Sequence, residues 1–150
     1  PLVIAWPGTV RAGLQSPALV ELVDLAPTLL EAAGLGVPSC MQGRSLLALL
    51  TGRAPAEAHK PHVVCEYNDA MAGRHGSHAT MVSDGRIKSV IYHGHDGGLG
   101  ELYDLEADPG EFDDLWTEPG ARELRETSLR RHIDAVMATS GAGPRRIARY

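Results

Sequence analysis

The sequence is short of the residues that would mark a disulfide framework, a membrane span or a nucleic-acid surface. It holds two cysteines, Cys40 and Cys65. Two isolated cysteines fit reduced, buried thiols, and so favour a soluble protein of the cytoplasm. No run approaches the roughly eighteen apolar residues that a membrane helix needs. The net charge of −5 gives no basic excess for binding nucleic acid. A signal peptide is also missing: "PLVIAWPG" has no basic start, and its apolar run breaks at Pro7-Gly8. With no initiator Met either, the chain is expected to be cut from something longer.

What is present is ordinary globular material. The 150 residues are 43% hydrophobic and 22% charged, enough for one core or a little more. "PLVIAW" is a continuous apolar run, the pattern of a parallel-sheet strand buried on both faces. A helix follows in "VDLAPTLLEAAG", with Asp24 as N-cap, Pro27 in the first turn and Gly34 as the stop. Leu25, Leu29, Leu30 and Ala33 form its apolar stripe. "RSLLALLTG" predicts a second, short helix closed by Gly52.

"RAPAEAHKP" is a polar, proline-bounded connection, and beyond it the period becomes two. "HVVCEY", "SHATMVS", "RIKSVIYH" and "ELYDL" predict four antiparallel strands. Ser83-Asp84-Gly85-Arg86 predicts a two-residue Asp-Gly hairpin turn between the middle pair. A last helix places Leu129, Ile133, Val136 and Met137 at helical spacing. The lone apolar strand at the start is awkward, because its backbone groups need neighbours on both sides.

Charge is uneven along the chain. Eight of the nineteen carboxylates lie between Glu101 and Glu118, while half of the fourteen basic residues lie from Arg122 onward. An EF-hand reading that starts at Asp104 fails, with Pro109 at position 6 and Leu115 at position 12. Nor do crowded carboxylates on one hydrophilic turn make an acid–base pair. The stretch reads as a turn, Asp108-Pro109-Gly110-Glu111, between a strand and a helix.

"LYDLEADPGEFDDLW" resembles the "LYDLxxDPxExxNL" segment near the end of sulfatases. "LVDLAPTLLEAAGLGVPSCMQGRSLLALLTG" resembles their "DxxPTLLxxAGxxxPxxxxGxSLLPLL" segment, and "PLVIAWPG" is similar to the strand before it. Asp114 replaces the usual Asn, and Ala48 the usual Pro. The resemblance implies a fragment of an alkaline-phosphatase-like fold, α/β with an α+β end. Residues 1–58 would be the last strand–helix piece of the catalytic α/β domain. Residues 59–150 would be a small C-terminal subdomain, a four-stranded antiparallel sheet with a C-terminal helix.

The resemblance also implies sulfate-ester hydrolysis by a formylglycine made from the Cys or Ser of C/S-x-P-S/A-R, beside a divalent cation, usually calcium. Neither is expected in these residues, so no catalytic residue and no metal ligand is assigned here. Cys40 sits in "SCMQGR", where Met41-Gln42-Gly43 replaces the required x-Pro-Ser. The expected partners are the N-terminal catalytic part and a small sulfated substrate, and the isolated chain is expected to self-associate. A phosphodiesterase or phosphonate monoester hydrolase of the same superfamily stays open, as does a free-standing non-catalytic binding or structural module.

"NDAMAGRHGSHATM" places Arg74, His75 and His78 on a Gly-rich loop. They are candidate contacts to an anionic ester, though the same composition suits a solvated loop. His93 and His95 lack a third ligand for zinc. His59, His62 and His132 read as surface or packing residues. The tail "RRIAR" reads as surface charge pairing, or as a cap on the last helix.

Overall fold

The computed structural model describes residues 2–68, 78–94 and 98–140. They fall into two compact units that meet in the sequence at Pro61 and His62.

In the first unit, the run Leu2–Trp6 is in no strand. Val3 is 88% exposed, and Leu2 and Trp6 are exposed as well. This corrects the expected parallel-sheet strand. An apolar strand is held by ladder bonds to neighbours, and the described residues supply none for it. The helical part opens with a single 3-10 turn, Leu22–Asp24, that continues into α1, Leu25–Ala32. Asp24 is therefore not a side-chain N-cap of α1. Its carboxylate turns back to accept the Glu21 amide at 2.9 Å, as the third residue of a capping box that starts at Glu21. Gly34, at φ 72°, ends the helix as expected.

The predicted stripe of α1 is also corrected. Pro27 and Thr28 are buried, whereas Leu29 is 70% exposed and Ala33 is exposed. α2 spans Leu47–Leu50, and Leu46, Leu47 and Leu49 provide the buried apolar side chains of this unit.

The second unit is an antiparallel meander in the order β1-β2-β3-β4, comprising Val63–Asn68, His78–Ser83, Ile87–His93 and Gly100–Asp104. The Asp-Gly turn sits one residue later than expected. Ser83 pairs with Lys88, and Asp84 donates its amide to the Ile87 carbonyl at 3.2 Å. Gly85 and Arg86 are thus the two central residues, with Gly85 supplying the positive φ of 91°. The Asp84 side chain takes the Arg86 and Ile87 amides, so it closes the turn instead of occupying its centre.

α3, Arg122–Ser140, covers one face of the sheet. Thr80, Val82, Ile87, Ser89 and Leu102 are buried. The helix buries Ser128, His132 and Ala135, while Ile133, Val136 and Met137 are exposed. The predicted apolar stripe is replaced on the buried face by small and polar residues. The fold class is α/β with an α+β end, as expected.

Candidate functional site

The most densely bonded polar centre in the first unit is Asp24, whose side chain is wholly inaccessible. Its Oδ1 accepts the Arg44 amide at 2.7 Å and the Lys60 ammonium at 2.6 Å. Its Oδ2 accepts the Glu21 amide and lies 3.1 Å from His59 Nε2. Lys60 also pairs with Glu21, and Arg44 Nη1 donates to the His59 carbonyl at 2.6 Å. Burial pushes the Asp24 carboxyl up. The Lys60 ammonium and the Arg44 and Glu21 amides outweigh that and hold it below the usual carboxylate range.

Two residues of the sulfatase-like motif acquire a physical reason here. A Cβ on Gly43 would lie 1.9 Å from the Val23 carbonyl oxygen, so only glycine lets the 43–44 backbone come close enough for Arg44 to reach Asp24. The Thr28 hydroxyl donates to the Asp24 carbonyl at 2.5 Å and accepts the Leu46 amide at 2.8 Å, tying α1 to the start of α2. The arrangement pins three chain segments. Every Asp24 oxygen is engaged, so it has no lone pair free for chemistry.

The acidic stretch of the second unit is engaged in the same way. Asp104 takes a bidentate pair from Arg86, at 3.2 and 2.8 Å. That contact first, joined by the Glu106 and Ala107 amides, lowers its pKa against the opposing effect of burial. Asp108 accepts the Asp113 amide and Glu111 pairs with Lys88. Asp114 Oδ1 takes the amides of Leu102 and Trp116. Glu101 receives both the Tyr92 and Tyr103 hydroxyls. Burial, followed by the charges of Glu101 and Asp114, pushes the Tyr103 phenol up to about 12.

No group of three His, Cys, Asp or Glu side chains among the described residues is placed to hold a metal.

Of the candidate anion contacts, Arg74 and His75 lie outside the described residues. His78 opens β2, is exposed, and stands opposite His93 in the ladder. His93 Nε2 is 2.8 Å from the Thr80 hydroxyl, which occupies it without a metal, and His95 lies outside the described residues. The tail from residue 141 does too. Cys40 and Cys65 are free and exposed, which corrects the expectation of buried thiols. His59 and His132 are buried with polar partners. Sequence reading missed the joining of Asp24, His59 and Lys60, and the one signal for it was a charged pair closing an otherwise polar linker.

A protein solved in complex with its substrate D-glucosamine-2-N,6-O-disulfate superposes with a TM-score of 0.78 over 95% of this chain and 29% of that one, at 24% identity. A family profile described as N-sulphoglucosamine sulphohydrolase, C-terminal, matches residues 1–139, and the chain belongs to that family. Mouse arylsulfatase K is 33% identical over 123 residues, which are 79% of this chain and 22% of the relative. The N-acetylglucosamine-6-O-sulfatase of Bacteroides thetaiotaomicron is 34% identical over 121 residues, 77% of this chain and 21% of its own length. The chain thus spans about a fifth of the length of these relatives.

No helix among the described residues is long and apolar enough to cross a membrane.

Proposed function

We propose that these residues form the C-terminal part of an enzyme that hydrolyses a sulfate ester of a sugar. The observation that carries the reading is the family match along residues 1–139, together with relatives named for sulfatase activity. The sugar is suggested by the Bacteroides thetaiotaomicron relative, an N-acetylglucosamine-6-O-sulfatase. In this reading the nucleophile, a formylglycine, and the divalent cation belong to the N-terminal remainder, because no C/S-x-P-S/A-R motif occurs in these 150 residues. Residues 1–58 complete the catalytic α/β domain, and residues 59–150 form the subdomain that buttresses its cleft. Arg74, His75 and His78 are its contacts to the anionic ester, a role that suits two basic residue types in a Gly-rich stretch of sequence.

The test is hydrolysis by the full-length enzyme. Sulfate release from 4-nitrophenyl sulfate and from a sulfated glucosamine is expected, with a mass deficit on the peptide reading C/S-x-P-S/A-R. Alanine at Arg74 or His78 should raise KM more than it lowers kcat. Cleavage of a phosphonate monoester with no sulfate release would move the enzyme to the phosphonate hydrolases. Absence of hydrolysis in a natural product no longer than these residues would leave a non-catalytic module.

A further inference from the structure

α3 meets the sheet through a polar contact that chemistry makes sensitive to acid. His132 is 3% exposed and Ser89, on β3, is 2% exposed. Nε2 of His132 lies 2.9 Å from the Ser89 hydroxyl oxygen, which is itself 3.5 Å from the Val82 carbonyl oxygen of β2. Ser128 and Ala135, one turn before and one after on the same helix face, are equally buried. The other ring nitrogen, Nδ1, is buried and has no hydrogen-bond partner.

These contacts assign the tautomer. A neutral ring carrying its hydrogen on Nε2 donates to Ser89, the Ser89 hydroxyl turns to Val82, and Nδ1 keeps a bare lone pair. The opposite tautomer would bury an N–H donor with no acceptor, which costs more. In acid the incoming proton therefore has one position to occupy, Nδ1, where it would make that same unpaired donor on a buried cation.

The surrounding groups oppose the charge. On α3 the neighbour is Arg131, whose guanidinium is 2.7 Å from Asp84. On β3 it is His93, held by Thr80 of β2, with His78 of β2 opposite it in the ladder. Asp84, the nearby carboxylate of the hairpin, is already used by Arg131, and Asp134 of α3 is exposed. Burial first, then the charges of His93 and Arg131, hold His132 below the ordinary imidazole range against the opposing pull of the Ser89 backbone.

We infer that the His132–Ser89 contact is an acid-released latch: α3 stays docked on the sheet while His132 is neutral and is released when Nδ1 is protonated. The sign follows from linkage. Above about pH 6.5 the ring is neutral whether α3 is docked or free, and docking is at full strength. Below that value the freed ring binds a proton that the docked ring refuses. The docking equilibrium then falls by up to about tenfold per pH unit until the docked ring also titrates.

Hydrogen exchange read by mass spectrometry on the intact protein tests this, with rates corrected for the intrinsic pH dependence of exchange. Protection of residues 122–140 should drop several-fold between pH 7.5 and 5.5, while the β2–β3 hairpin keeps its protection. In His132→Gln, whose amide still reaches Ser89 but does not titrate, protection of α3 should be flat over the same range. Ser89→Ala keeps the imidazole, so it should lower protection at every pH and retain the acid slope. Parallel pH profiles for the wild type and His132→Gln would overturn the latch. So would loss of helix and hairpin together in the wild type, which needs no variant to fold.

Discussion

The Asp114 carboxylate takes the place of a fifth strand beside Leu102. Its Oδ1 accepts the Leu102 amide at 3.0 Å, and the Leu102 carbonyl accepts the Leu115 amide at 2.8 Å. The outer edge of β4 is thereby closed by a side chain and one peptide group, which removes a template for unwanted strand pairing. The same Oδ1 also takes the Trp116 amide, so it sets the turn that returns the chain toward α3.

Both amides go to a single oxygen, and the amide of asparagine supplies an equivalent one. Asp114→Asn should therefore leave stability nearly unchanged, which accounts for Asn at this place in the sulfatase pattern. Asp114→Ala strands the amide of Leu102, a residue with no exposed surface. The expected loss is about 1–3 kcal/mol, read from urea denaturation.

Asp24, wholly buried, pairs with the part-buried Lys60, and loss of the lysine leaves the carboxylate without its ionic partner. Asp24→Asn or Lys60→Met should cost about 3–5 kcal/mol each, and the double variant should recover part of that loss. Additive losses in the double-mutant cycle would show that the two side chains act independently. Because the Asp24 carboxyl is held below its ordinary value of 3.8, its contribution is full above that pH and fades as the pH falls through the depressed value. Acid denaturation of Asp24→Asn should accordingly be less steep near and below pH 4.

Gly43→Ala is predicted to disrupt the first unit, since the new methyl group meets the Val23 backbone at 1.9 Å. Gly36→Ala is the control, because nothing lies within 4 Å of its Cβ position. Thermal melting of the two variants should separate them clearly, with Gly36→Ala at or slightly above wild type.

The isolated 150-residue chain should self-associate through its apolar Leu2–Trp6 run, which carries Val3 at 88% exposure. Light scattering over a concentration series should show species above 16.0 kDa. Val3→Lys with Leu2→Glu should return the chain to monomer. A wild-type chain that stays strictly monomeric at high concentration would count against the prediction.

Much of the local structure was legible because local signals set it. Period-two runs placed all four strands, Gly34 and Gly52 stopped their helices, and the Asp-Gly pair marked the hairpin to within one residue. The buried faces of the helices were not legible. α1 and α3 turn Thr28, Ser128 and His132 inward and leave Leu29, Ile133 and Met137 exposed. Periodicity records where apolar side chains recur on a helix, not which partner each side will meet.

The sequence by itself determined the helices, the four antiparallel strands, their order and the family, since these rest on nearest-neighbour preferences and on motif spacing, though not the fate of the Leu2–Trp6 run. The joining of Asp24 to Lys60 and His59, of Asp114 to Leu102 and of His132 to Ser89 was decided by tertiary structure alone. Each contact joins separate stretches of the chain, and for Asp24, His59, Ser89 and His132 burial removed water as the alternative partner.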